Sequence, residues 1–194
     1  MEKKIHHVCP WWLGYLLLNP FRKYYHNPEN MLMPYLKPGM KAVDYGCAMG
    51  YFSLPIAGLV GEAGQVFAID IQQKMIDWLT RRAKKAGLEG IIMPVLITEN
   101  TNFDDLTGQI DFALLFAMVH EVPDKKELFE TIGKMVKSGG KVLFAEPKGH
   151  VSLTTFEESI VIAESQGLIV LQKIKVSGSH AVVLTKNPLQ IRVC

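Results

Sequence analysis

The amino-acid sequence predicts an α/β fold: a three-layer sandwich built on a mostly parallel seven-stranded sheet that closes in an antiparallel hairpin. Three observations carry that expectation. From residue 41 onward, short apolar β-forming runs alternate with amphipathic helical runs, the pattern of strands joined by helical crossovers. The run 112–116 is almost wholly apolar, as suits a strand covered on both faces. Near the end, Ser177-Gly178-Ser179 separates two strand-like runs with no helix between them, the mark of a hairpin.

A chain of 194 residues is expected to form one folded domain, able to bury about 70% of the surface its unfolded form exposes. Residues 1–37 differ in character from residues 38–194. They crowd His6, His7, Trp11, Trp12, Tyr15, Phe21, Tyr24, Tyr25 and His26 between Pro10, Pro20, Pro28 and Pro34. Such an arm has little of its own to pack against, so it either docks on the domain, closes over a pocket as a lid, or meets a second copy in a homodimer. Trp11 and Trp12 are its candidate substrate-facing residues. His6, His7 and Cys9 are metal-ligand types, but no further ligand spacing joins them, and no metal site is expected.

The elements follow in order. Asn27 caps a short helix over 28–36 with Pro28 at its first position. Lys37-Pro38-Gly39-Met40 turns into a strand over 41–44, and a glycine turn leads to a helix over 51–60 that tolerates Pro55 in its first turn. A second strand covers 65–69. Met75, Ile76, Leu79 and Ala83 then mark one face of a helix over 71–86, stopped by Gly87. A third strand over 92–97 contains Pro94, and the fourth covers 112–116. Asp124 and Glu127 form a capping box for a helix over 125–136, which Ser138-Gly139-Gly140 should stop before a fifth strand over 141–145. Thr154 and Glu157 are the expected capping pair of the last helix, and the hairpin strands fall at 168–176 and 181–185.

The first strand and its turn read Val43-Asp44-Tyr45-Gly46-Cys47-Ala48-Met49-Gly50. A strand, an acid, a glycine-containing turn and a helix start make a cradle where backbone N–H groups meet a ligand. A dinucleotide fingerprint would need glycine at 48 and 51, where Ala48 and Tyr51 stand. Ala48 is expected to keep a negative φ, because the left-handed region costs a residue with a Cβ roughly 1–2 kcal/mol. The second strand ends at Asp70, an acid placed to accept hydrogen bonds from a ribose. Both acids could instead be simple helix-start residues.

The pattern Asp44-x-Gly46-x-Ala48-x-Gly50 resembles motif I of the class I S-adenosylmethionine-dependent methyltransferases, with alanine in the middle glycine slot. Val119-His120-Glu121-Val122-Pro123-Asp124 is similar to a stretch of the ubiquinone/menaquinone-biosynthesis type of that family. The resemblance covers roughly residues 38–185 and implies a Rossmann-like sandwich with S-adenosylmethionine as cofactor. It implies Asp44, Gly46, Cys47, Ala48 and Gly50 at the methionyl end, Asp70 on the ribose, Ile71 on the adenine, Glu99 and Asn100 at the adenine edge, and Phe116 nearby. An ordinary polar loop is the other reading of Glu99 and Asn100.

Methyl transfer of this kind depends mainly on aligning an acceptor behind an activated methyl carbon. His120, just past the fourth strand on the carboxyl side of the sheet, is the candidate general base; otherwise it is a helix-start histidine packing on the arm. Glu146 and His150, after the fifth strand, are candidates on the substrate side. The aromatic arm suggests a small, apolar or aromatic methyl acceptor. A net charge of +2, with the basic run 81–85 late in a helix, gives no nucleic-acid surface. No Asn/Asp-Pro-Pro-aromatic signature follows the fourth strand. Three separated cysteines, no signal-peptide pattern and no run long enough to span a bilayer lead to the expectation of a cytoplasmic protein without a transmembrane segment. Two alternatives stay open, an NAD-type oxidoreductase and a non-catalytic Rossmann-like binding protein.

Overall fold

The computed structural model describes residues 26–187; Trp11, Trp12 and most of the expected arm lie outside the described residues. A short helix α1 (Pro28–Leu32) opens the described chain, and the Asn27 side chain accepts from the Asn30 N–H as the sequence predicts. Then β1 (Lys41–Tyr45), α2 (Ser53–Val60), β2 (Gln65–Asp70), α3 (Gln73–Lys85), β3 (Ile92–Leu96) and β4 (Ile110–Phe116) follow. They are succeeded by α4 (Lys125–Met135), β5 (Val136–Pro147), α5 (Leu153–Ser165), β6 (Leu168–Lys173) and β7 (Ser179–Lys186).

The seven strands form one sheet in the order β3-β2-β1-β4-β5-β7-β6. Strands β1 to β5 pair in parallel, whereas β7 runs antiparallel to both β5 and β6. The sheet therefore turns back on either side of β1 and β4, and in such sheets the crevice beyond the carboxyl strand ends receives ligands. Pro94 is accommodated because β3 is an edge strand, where a missing N–H interrupts no second ladder. Two apolar cores cover the sheet. Ile56, Val60, Leu79 and Phe112 belong to one, while Phe129, Ile132, Phe144 and Phe156 belong to the other.

Several boundaries differ from the sequence reading. Helix α4 stops at Met135 because Val136 already pairs with Ile110. Residues 137–140 are absorbed as an irregularity of β5, with Gly139 at φ 75°, before Lys141 pairs with Phe112. The last helix starts earlier than the Thr154 pair implied: Ser152 is its cap, and its Oγ accepts the Thr155 N–H at 3.1 Å. Ala48 overturns the expectation of negative φ. It lies at φ +46°, its N–H held by the Asp70 carboxylate.

Candidate active site

The tips of β1, β2, β4 and β5 surround a hollow of about 1270 Å³. Its floor is the turn after β1. Gly46 and Cys47 both donate their N–H groups to the Ile69 carbonyl, at 2.8 and 3.0 Å, which ties the turn to β2. Gly46 and Gly50 have φ of +77° and +79°, and a Cβ on Gly50 would stand 2.2 Å from Leu79 Cδ1. Only glycine satisfies that combination of conformation and crowding. The chain bends sharply enough for residues 46–49 to line the hollow.

Asp70 lines the same hollow. Its Oδ2 accepts the Ala48 N–H and its Oδ1 the Gln72 N–H, both at 2.9 Å. Burial raises its pKa above the usual carboxylate range, opposed by hydrogen bonds from Gln72, Ala48 and Ile71. These three bonds do not exhaust the lone pairs of a carboxylate, so capacity is left for a ligand's hydroxyls. Ile71, half exposed despite its size, stands beside it on the rim. Asp44 has a different setting. It is 3% exposed, accepts from Ser53 Oγ at 2.5 Å, and is not among the residues lining the hollow.

The loop after β3 contributes Glu99, whereas Asn100 is exposed and does not line the hollow. Thr101 organises that loop instead: its Oγ1 accepts the Thr98 N–H at 2.8 Å and donates to the Leu96 carbonyl at 3.2 Å. Phe116 lines the hollow in edge and tilted ring contacts with His26 and Phe52.

At the other end, the structure brings together His120, Glu146 and His150, the described residues among those expected for chemistry and substrate. Ala117, at φ +57°, donates its N–H to the Ala145 carbonyl at 2.8 Å and joins the ends of β4 and β5. The 3-10 turn Val119–Glu121 then sets His120 against Glu146. Glu146 Oε1 accepts the His120 backbone N–H at 3.1 Å, and Oε2 lies 2.6 Å from Nδ1 of the same residue. The His150 ring meets the His120 ring edge-on at 5.8 Å between centroids. Both histidines line the hollow, while Glu146 is buried behind them. The Glu146 hydrogen bond raises the His120 pKa above the ordinary histidine value, against the lowering effect of burial.

Sequence reasoning did not single out His26, Tyr51 or Met118 as lining residues. The Tyr51 hydroxyl donates to the His26 carbonyl at 2.7 Å, and His26 Nε2 lies 2.7 Å from the Ser177 carbonyl. The described chain thus begins pinned to the mouth of the hollow. A tyrosine directly after Gly50 was the available signal. Among the described residues no group of histidine, cysteine and carboxylate side chains could hold a metal ion.

A family model described as a methyltransferase domain matches residues 36–177. A demethylmenaquinone methyltransferase of Bacillus mycoides is 32% identical over 124 residues, which cover 61% of this chain and 49% of that protein. The Bacillus cytotoxicus enzyme of the same name is 29% identical over 118 residues, with the same coverage. The chain spans about half the length of these curated relatives. A solved S-adenosylmethionine-dependent methyltransferase from Aquifex aeolicus superposes with a TM-score of 0.82 at 22% identity, covering 92% of this chain and 100% of that one. An O-methyltransferase from Thermotoga maritima gives 0.68 at 18% identity, covering 90% and 71%. At such identities the solved structures share the fold alone.

Proposed function

The chain belongs to the methyltransferase-domain family, and on that premise we propose that it transfers the methyl group of S-adenosylmethionine to a small, apolar or aromatic acceptor by in-line displacement. One observation carries the reading: the glycine turn after β1, Asp70 at the end of β2, and His120 beyond β4 all line one hollow. When bound, the cofactor supplies a methyl carbon activated by a sulfonium leaving group. The residues present fit it. The backbone of residues 46–48 cradles the methionyl end, Asp70 accepts from the ribose hydroxyls, Ile71 covers the adenine, and Glu99 stands at its edge. Asp44 acts from behind, fixing the turn through Ser53. Gly50 lets the turn close.

The acceptor lies toward His120, Glu146 and His150. Proximity and orientation are worth about 7–11 kcal/mol in such a reaction, so the walls that aim the acceptor matter more than any single proton transfer. Phe116 and Met118 give those walls an apolar surface. The demethylmenaquinone in the names of the curated relatives agrees with a flat, apolar acceptor. No helix among the described residues is long and apolar enough to cross a membrane.

Thermal denaturation with S-adenosylhomocysteine, set against NADH, tests the reading. A ligand at one hundred times its dissociation constant stabilises by about 2.7 kcal/mol. S-adenosylhomocysteine is expected to do so and NADH is not. The opposite result would support an oxidoreductase, and no response to either would support a binding protein.

A further inference from the structure

Resting on that reading of the hollow, we propose that Glu146 positions His120 as a general base toward the acceptor, and that the acceptor is therefore a phenol- or enol-type hydroxyl that reacts as its oxyanion. Glu146 is buried and spends both carboxylate oxygens on one residue, gripping the His120 backbone at 3.1 Å and its ring at 2.6 Å. A carboxylate only accepts, so the proton of a neutral imidazole must sit on Nδ1. Nε2 is left with its lone pair. This is the arrangement of a base whose tautomer is fixed by a third group.

The surroundings are consistent with that role. Glu121 Oε1 is 3.9 Å from Nε2, His150 meets the ring edge-on from beyond β5, and Lys125 of α4, whose Nζ donates to Ser159 Oγ at 3.0 Å, acts on it through space. The two glutamates favour the protonated imidazole and Lys125 opposes it. The left-handed backbone at Ala117 is a second mark of construction, since strain of this kind persists only where surrounding contacts enforce it.

Magnitudes separate a hydroxyl acceptor from a thiol. A phenol with a pKa near 10 is ionised to roughly one part in a thousand at pH 7, whereas a thiol is already ionised to a few per cent. A general base contributes about 10²–10⁴-fold, the size of the hydroxyl's deficit. In the step, the hydroxyl proton passes to Nε2 of His120 and its bonding pair stays on the acceptor. That pair forms the bond to the methyl carbon, from oxygen or from a conjugated ring carbon; in the latter case the ring proton leaves afterwards to water and the oxygen takes a proton back from solvent. The breaking carbon–sulfur bond leaves its pair on sulfur, giving S-adenosylhomocysteine, and the imidazolium returns its proton to solvent.

The test combines ¹⁵N NMR of histidine-labelled protein saturated with S-adenosylhomocysteine and methyl transfer from labelled S-adenosylmethionine to three probes: naphthohydroquinone, para-nitrophenol and thiophenol. At alkaline pH, His120 should carry its proton on Nδ1. Glu146→Gln offers one amide oxygen to two donors and should move the proton to Nε2. Transfer to naphthohydroquinone at pH 7 should fall about a hundredfold in Glu146→Gln and in His120→Asn, whose amide keeps a donor toward Glu146. The loss should shrink to a few-fold with para-nitrophenol assayed where it is already ionised. A wild-type proton on Nε2, an equal loss on both hydroxyl probes, or transfer to thiophenol alone or to none of the probes would overturn the inference while S-adenosylhomocysteine still binds. Absence of that binding would instead remove the methyl-transfer reading beneath it.

Discussion

Asp70 Oδ2 accepts the N–H of Ala48 at 2.9 Å, and that bond holds an alanine at φ +46° in the turn beneath the hollow. The same carboxylate caps Gln72 at the start of α3, so one side chain joins the β1 turn, the end of β2 and the next helix. Asp70→Ala is therefore expected to do two things. Leaving two N–H groups without their acceptor should lower the stability of the unliganded protein by about 1–3 kcal/mol. It should also abolish the stabilisation by S-adenosylhomocysteine. Denaturation with and without the ligand separates the two effects, and an undiminished ligand shift would refute the ribose assignment.

Ala48→Gly probes the other partner of that bond. Relief of a left-handed alanine is worth roughly 1–2 kcal/mol, partly offset by the roughly 0.5–1 kcal/mol that glycine loses in conformational entropy. The variant should be slightly more stable, by up to about 1.5 kcal/mol. Gly50→Ala should behave in the opposite way, because its Cβ would meet the buried Leu79 at 2.2 Å with φ already at +79°. Overpacking of this kind together with the backbone strain costs about 2–5 kcal/mol. Urea titration of the two variants gives both signs directly, and a neutral Gly50→Ala would mean that α3 yields to the turn.

The alternation of runs was enough for the layers and the strand sequence, because each buried strand must be apolar whatever it pairs with. The glycine turn that lines the hollow was readable too, since Asp44, Gly46 and Gly50 lie within one short segment. What could not be read was register. His120 and Glu146 are 26 residues apart, and they meet only because Phe116 pairs with Ala145 across β4 and β5. The sign of φ at Ala48 depended likewise on Asp70, 22 residues away. Asn100 and Thr101 are both polar loop residues, and it is the reach of the Thr101 hydroxyl to Leu96 that decides which one organises the loop.

Ser152 and Thr154 show the same limit within a single turn of helix. Thr154-x-x-Glu157 looks like the better capping box, yet the chain enters α5 through a turn in which the Val151 N–H donates to the Pro147 carbonyl at 2.9 Å. That places Ser152, not Thr154, at the extended cap position. Ser152→Ala should destabilise by about 1 kcal/mol, within a range of about 0.5–2, whereas Thr154→Ala at an exposed helical position should stay within about 0.5 kcal/mol of wild type. Equal losses in the two variants would return the cap to Thr154.

Glu146→Gln should have a pH-dependent effect on stability. The folded-state pKa of His120 is raised, chiefly by its hydrogen bond to Glu146. A group raised in the folded state contributes stability in full below its unfolded value of about 6.5, and loses it as pH climbs through the folded value. Removing the carboxylate should therefore destabilise more near pH 5.5 than near pH 9. Melting temperatures of wild type and variant across that range check the sign. A difference that grows with pH would mean that the imidazole is held neutral.

Cys47 gives an independent reading of how closed the turn is. Its thiol is 4% exposed, and burial, reinforced by Asp44 and Asp70, pushes its pKa well above the ordinary value. The thiolate is the reactive form, so this cysteine should resist alkylation although it lines the hollow. With Cys9 and Cys194 replaced by serine, native protein at pH 8 should react with iodoacetamide far more slowly than urea-unfolded protein. S-adenosylhomocysteine should slow it further, because covering the turn suppresses the local opening that exposes the sulfur. Rapid native labelling, or labelling accelerated by the ligand, would show that the bend between Gly46 and Gly50 opens in solution, and the cradle would have to form around its ligand rather than before it.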